Sequence, residues 1–73
     1  MRLDATIRRA IQLAPCSVRA LAREAGVSHQ MLAAIIAGRE RATPRVAVLV
    51  AEALDRIALR CAQGAALARR AVP

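Results

Sequence analysis

The chain has 73 residues, 58% of them hydrophobic, with no Phe, Tyr or Trp. That length holds one small core near the lower limit for folding without staples, and a core of Leu, Ile, Val, Met and Ala suits closely packed helices rather than a sandwich. The net charge of +7 comes from twelve arginines and no lysine against five acids. Such an excess points to a polyanionic partner, nucleic acid or an anionic membrane surface. GC-rich coding accounts for arginine in place of lysine, but not for the excess of cations.

Nineteen alanines favour helix further, with three prolines and three glycines as the only strong punctuation. An all-α fold follows. The two cysteines, Cys16 and Cys61, and the single His29 have no metal-ligand spacing, so reduced thiols in a cytosolic protein are expected rather than a zinc site, and no cofactor is implied. The charged start carries no uninterrupted apolar core of a signal peptide, and no apolar run reaches the length of a membrane span. A soluble cytoplasmic protein is the expectation.

The first helix is expected from about Leu3 or Asp4 to Leu13. Its apolar stripe is Leu3, Ile7, Ala10, Ile11 and Ala14, with Arg2, Arg8, Arg9 and Gln12 off the stripe, and Pro15 ends it. Ser17 is a natural N-cap for a second helix running to about Ala25, and Ser28 for a third running to about Ala37. Between them, Gly26 sits where the backbone needs a positive φ. Leu21 and Ala22 face inward on the second helix, Val27 plugs the turn, and Leu32 and Ile35 face inward on the third. These features describe a helix-turn-helix, whose second helix can enter the DNA major groove.

Gly38 closes the third helix, residues 39–42 form a charged loop, and Thr43-Pro44 is a strong helix start. Nothing then interrupts the pattern before Gly64. One long helix is expected from about Pro44 to Gln63, with a kinked continuation to Arg70 as the other possible end. The bundle thus has about four helices, the last one long. Residues 1–73 read as one helix-turn-helix domain with its core over 3–54 and a helical extension and tail over 55–73.

On the long helix, at about 100° per residue, Arg45, Glu52, Asp55, Arg56, Arg60, Gln63 and Arg70 share about 140° of arc. The remaining arc is Val, Leu, Ile, Ala and Cys, about twice the apolar width that a surface helix needs. The domain covers one side of it. The other is expected to meet a second copy about a two-fold axis, through Val50, Leu54, Ile57 and Cys61. Burial by the chain's own tail, Ala65 to Val72, is the alternative.

The stretch from Ser17 to Leu54 resembles the Xre/Cro/cI-type helix-turn-helix regulators of phages and bacteria. The matching residues are Leu21-Ala22, Gly26-Val27-Ser28, Leu32, Ile35, Gly38 and the closing Val50-Ala51-Glu52-Ala53-Leu54, in ungapped spacing. The resemblance implies a DNA-binding regulator with no enzymatic activity, working in the cytoplasm or at the nucleoid. It places the base-reading positions at Ser28, His29, Gln30, Ala33 and Ala34, with Ala37 at the edge of the set. Gln30 is the best direct reader, since its amide can pair bidentately with adenine. His29 is as consistent with a solvated first-turn residue.

Phosphate contacts are expected from Ser17 and Arg19 at the start of the second helix, and from Arg39, Arg41 and Arg45 around the loop into the fourth. Each arginine alone is equally consistent with a solvated charge; the cluster is less so. The chain departs from its family in several places. Ala33, Ala34 and Ala37 replace longer polar residues, Val18 replaces a frequent Gln, and Ile36 replaces a commonly polar residue and is expected to be exposed. The family also usually turns after the closing Ala-Leu, where this chain runs on.

The first reading is therefore a homodimeric, sequence-specific regulator of double-stranded DNA, expected to repress by occupancy. A protein-interaction or antitoxin-like module that keeps the fold with weak base reading is the alternative, favoured by the alanine-rich third helix. A membrane-binding amphipathic segment at 56–73 ranks below both, for want of aromatic anchors.

Overall fold

The structure, a computed structural model, describes residues 3–73. Arg2, placed off the apolar stripe of the first helix, lies outside the described residues. Four helices follow in order: α1 Leu3–Leu13, α2 Val18–Ala25, α3 His29–Ile36 and α4 Pro44–Ala71. Among the described residues there is no strand, so the all-α helical fold stands as the sequence predicts.

Local chemistry sets nearly every boundary. The Ser17 hydroxyl accepts from the Ala20 amide at 3.1 Å, Ser28 from Met31 at 3.0 Å, and Thr43 from Val46 at 3.2 Å. Each satisfies one of the amides that a helix start leaves unpaired. Gly26 has φ +74°. Around it, the Val27 amide donates to the Ala22 carbonyl at 3.0 Å and the Gly26 amide to the Arg23 carbonyl at 3.3 Å. That is a Schellman motif, and it turns the chain from α2 into α3 with the half-buried Val27 as its plug. Gly38, at φ +80°, repeats the motif after α3, with Arg39 donating to Ala34 at 2.9 Å and Gly38 to Ile35 at 3.1 Å.

The core lies where the inward faces meet: Ile7 and Ile11 of α1, Leu21, Ala22 and Ala25 of α2, Leu32 and Ile35 of α3, and Val46, Val50, Ala53 and Ile57 of α4, with Ala42 from the preceding loop. Leu21 and Leu32 have no exposed surface. The expected stripe of α1 narrows in the structure: Leu3 is exposed and Ala10 and Ala14 are half-buried. Ile36, expected to be exposed, is half-buried against the core, because a helix carrying Leu32 and Ile35 inward turns its i+4 neighbour partly inward too.

Two features of α4 correct the sequence reading. First, the helix does not end at Gln63 but runs through Gly64 to Ala71, close to the longer of the two expected ends. The neighbours of Gly64, namely Ala62, Gln63, Ala65, Ala66 and Leu67, are strong helix formers, and Gly alone costs only about 1 kcal/mol against Ala. Second, Val50 and Ile57, expected at a subunit interface, are buried at 1% and 9% exposure in the protein's own core. Of their expected companions, Leu54 is half-buried beside that core and Cys61 is exposed. The inward face of α4 is thus used up by α2 and α1 as far as Ile57. The tail does not fold back to cover the helix, since residues 65–71 are part of it. With dimensions of 50 × 24 × 18 Å, the molecule is a small body with the far half of α4 projecting from it.

Arg56 and Arg60, on the charged arc of the long helix, turn back onto α2. The Glu24 carboxylate accepts from Arg56 Nε at 2.9 Å and from Arg60 Nη1 at 3.1 Å, while Arg56 Nη2 donates to the Glu24 carbonyl at 2.6 Å. This latch caps the carbonyl end of α2 and ties it to α4 where the projecting half begins. The Arg60 and then the Arg56 hydrogen bonds hold the Glu24 carboxyl below the ordinary glutamate range. Its folded-state pKa is therefore lower than its unfolded one. The latch contributes fully above the ordinary range and fades as pH falls through and below it. In thermal melts, the Tm advantage of the parent protein over Glu24→Gln is expected at neutral pH and disappears in acid. An advantage that does not change with pH would show that the latch carries no charge-linked stability.

Candidate nucleic-acid interface

The helix-turn-helix is α2, the Gly26 turn and α3. With Leu32 and Ile35 packed inward, helical spacing aims Gln30, Ala33, Ala34 and Ala37 outward, with His29 and Met31 on the flanks. Ser28, Gln30 and Ala37 are exposed, and His29, Ala33 and Ala34 are half-buried. Gln30 is the one long polar side chain of the outward face. Met31, 43% exposed, was not singled out by the sequence pattern; its place one residue before the buried Leu32 is the signal that it sits at the edge of the face.

The Ser17 and Ser28 oxygens are engaged as caps, yet each hydroxyl keeps its own proton to donate to a phosphate. Arg19 is exposed in the first turn of α2, Arg39 and Arg41 in the loop after α3, and Arg45 in the first turn of α4. None of these four makes an ion pair among the described residues, where the only pairs are those of Glu24. On α1, Arg9 is exposed and Arg8 half-buried.

The loop that carries Arg39 and Arg41 is held at both ends and in the middle. The Gly38 motif fixes its start and the Thr43 cap its end. Between them the Asp4 carboxylate, from the first turn of α1, accepts from the buried Ala42 amide at 2.6 Å. Sequence reasoning missed this contact, because Asp4 is 38 residues away and nothing local distinguishes it from a helix-start acid. A charge-assisted bond of this kind contributes about 1.5–3 kcal/mol. Asp4→Ala is expected to lower the Tm and to speed amide exchange at Ala42 and its loop neighbours; unchanged exchange there would count against the pinning role.

The surface so built has an outward helix with one amide reader, small residues that admit close approach, and unpaired guanidinium groups on the loop beside it. That combination fits a duplex groove and its flanking phosphates. A helix-turn-helix family model matches residues 7–60, which takes in all of α2 and α3 and most of α1. No curated protein and no solved structure matches the chain. Helix-turn-helix, turn glycine, inward Leu21, Leu32 and Ile35 and the family match agree: the chain belongs to the Xre/Cro/cI-type helix-turn-helix family of DNA-binding regulators.

Proposed function

We propose that the protein is a transcriptional repressor, of phage or bacterial origin, that binds a specific site on double-stranded DNA as a homodimer. The observation that supports this most is Gln30, the long polar side chain at the centre of the outward face of α3, beside the unpaired arginines of the α3–α4 loop. In each subunit α3 enters the major groove. Gln30 reads an adenine edge, Ala33 and Ala34 lie close enough for thymine methyls, and Ser28 and His29 donate to bases or phosphates at the helix start. Ser17, Arg19, Arg39, Arg41 and Arg45 hold the backbone on either side. Two subunits read half-sites about one turn of DNA apart, and occupancy blocks promoter access.

The test is a gel shift with DNA flanking the protein's own gene and a scrambled duplex, at two salt concentrations. The parent protein is expected to prefer the native sequence at both. Gln30→Ala is expected to remove most of that preference, about 1–3 kcal/mol per half-site, while sparing binding to the scrambled duplex. Equal loss on both duplexes would assign Gln30 to folding or to the backbone instead.

Ala33, Ala34, Ala37 and the exposed Met31 favour a second reading, a protein-interaction or antitoxin-like module. That reading predicts binding that ignores sequence, together with a tight complex with another protein that Met31→Glu abolishes.

A further inference from the structure

We propose that α4, from Leu54 along its projecting half, pairs antiparallel with the same stretch of a second copy, along a seam of Leu54, Ala58, Cys61, Ala65 and Ala68. The proposal shares with the functional reading only the premise that the chain works as a pair.

From Ala58 to Ala71 the helix leaves the body, and every residue is exposed apart from the half-buried Ala65. A lone helix in water has no reason to repeat an apolar pattern. This one does: the seam residues follow one another at spacings of four and three in strict alternation. That 3.5-residue repeat keeps one stripe facing a partner helix along its whole length, whereas a helix lying on a globular core keeps a period nearer 3.6. Alanine at three of the five positions lets the two backbones come close.

Charge decides what covers the seam and in which direction it runs. Asp55 and Arg69 lie on the same edge, each one residue after a seam position, Leu54 and Ala68 respectively. An antiparallel pair that sets Ala58 against Ala68 of the partner subunit also sets Cys61 against Ala65 of the partner subunit. It runs like edges together, so Asp55 meets Arg69 of the partner subunit, twice by symmetry. Asp55 has no ion pair within the chain among the described residues. A parallel pair would instead turn this edge toward Val50, Ile57, Gly64 and Ala71, which carry no charge.

On the opposite edge, Gly64 falls beside the two-fold axis. Within the chain a Cβ there would meet nothing within 4 Å, so packing inside the subunit does not call for Gly, the weakest helix former after proline. Against Gly64 of the partner subunit, its missing side chain allows close approach. The arrangement places the two bodies at opposite ends, with their Val50 positions about 39 Å apart along the stalk, close to the separation of half-sites one DNA turn apart.

Oxidative cross-linking tests orientation and register without DNA. One subunit carries Cys16→Ser and keeps Cys61; the other carries Cys16→Ser, Cys61→Ala and Ala65→Cys. Each alone is expected to stay uncross-linked, since its cysteines lie in different layers, beyond the Cα separation that a disulfide spans. The mixture is expected to yield a disulfide-linked heterodimer. Links within each single species and none preferred in the mixture would establish a parallel pair and overturn the proposal, as would a monomer at every concentration in sedimentation equilibrium. Neither result touches DNA recognition by α3, which the gel shift measures separately. Asp55→Arg or Arg69→Asp alone is expected to weaken the dimer about fivefold to tenfold, and the double reversal to restore it. Failure of the double variant to recover would remove the charge argument.

Discussion

Leu32→Ala is expected to leave the protein largely unfolded at 37 °C. Leu32 has no exposed surface and sits on the face of α3 that packs against α1 and α2. Truncating such a leucine removes its transfer free energy and leaves a cavity, together about 2–5 kcal/mol. A domain of this length has a total stability of only a few kcal/mol, about 3–5 on the general scale for small cores. The core here has no aromatic residue to spread the loss, and its buried neighbours are short, so the site has little with which to refill. A thermal melt followed by circular dichroism should therefore start from a partly unfolded baseline. Leu59→Ala, at a position 60% exposed on α4, is the control and should change stability by no more than about 0.5 kcal/mol. If Leu32→Ala melts like the parent protein, the packing of α3 described above is wrong.

The second large effect concerns the arginines. The triple variant Arg39→Ala, Arg41→Ala, Arg45→Ala is expected to lower affinity for any duplex at low salt and to flatten the salt dependence. Each neutralised phosphate contributes about 0.9 to the slope of log affinity against log salt. About four contacts per subunit give a dimer a slope near −7, and removing three per subunit should reduce its magnitude by about 5. These side chains are exposed and unpaired, so their loss should leave the melting temperature nearly unchanged. A triple variant with the parent slope would mean that the loop does not face the backbone. The two effects separate by readout: Leu32 acts through folding, the arginines through binding.

The parts of this fold legible in the sequence are those fixed by neighbours within one turn. Ser17, Ser28 and Thr43 cap the helices they were expected to cap, because an N-cap needs only an amide three residues on. Gly26 and the inward residues of α2 and α3 follow from the spacing of the motif. The Glu24 latch, in contrast, joins residues 32 and 36 apart, and Asp4 reaches across 38. Whether such groups meet depends on helix crossing angles, which no local pattern records. The apolar width of α4 was legible, but its division was not. Val50 and Ile57 went to the core, while Leu59 and Leu67 stay exposed with the alanines of the projecting half.

At the candidate interface, the order of exposure along α3 was largely legible, since Leu32 and Ile35 fix its rotation. Ile36 was misjudged because its exposure depends on how closely the neighbouring helices pack. Met31, hydrophobic yet 43% exposed, sits at the edge of the face because its neighbour Leu32 takes the inward position.

The most direct test of the central claim, that α3 and the loop after it form the DNA surface, is amide chemical-shift mapping by NMR during titration with the preferred duplex. Salt-resistant shifts are expected over Ser28–Ala37, over Arg39–Arg45 and at the start of α2 near Ser17 and Arg19, with α4 beyond Ala58 unaffected at constant dimer fraction. Shifts confined to α4 beyond Ala58, with Gln30 and its neighbours silent, would contradict it.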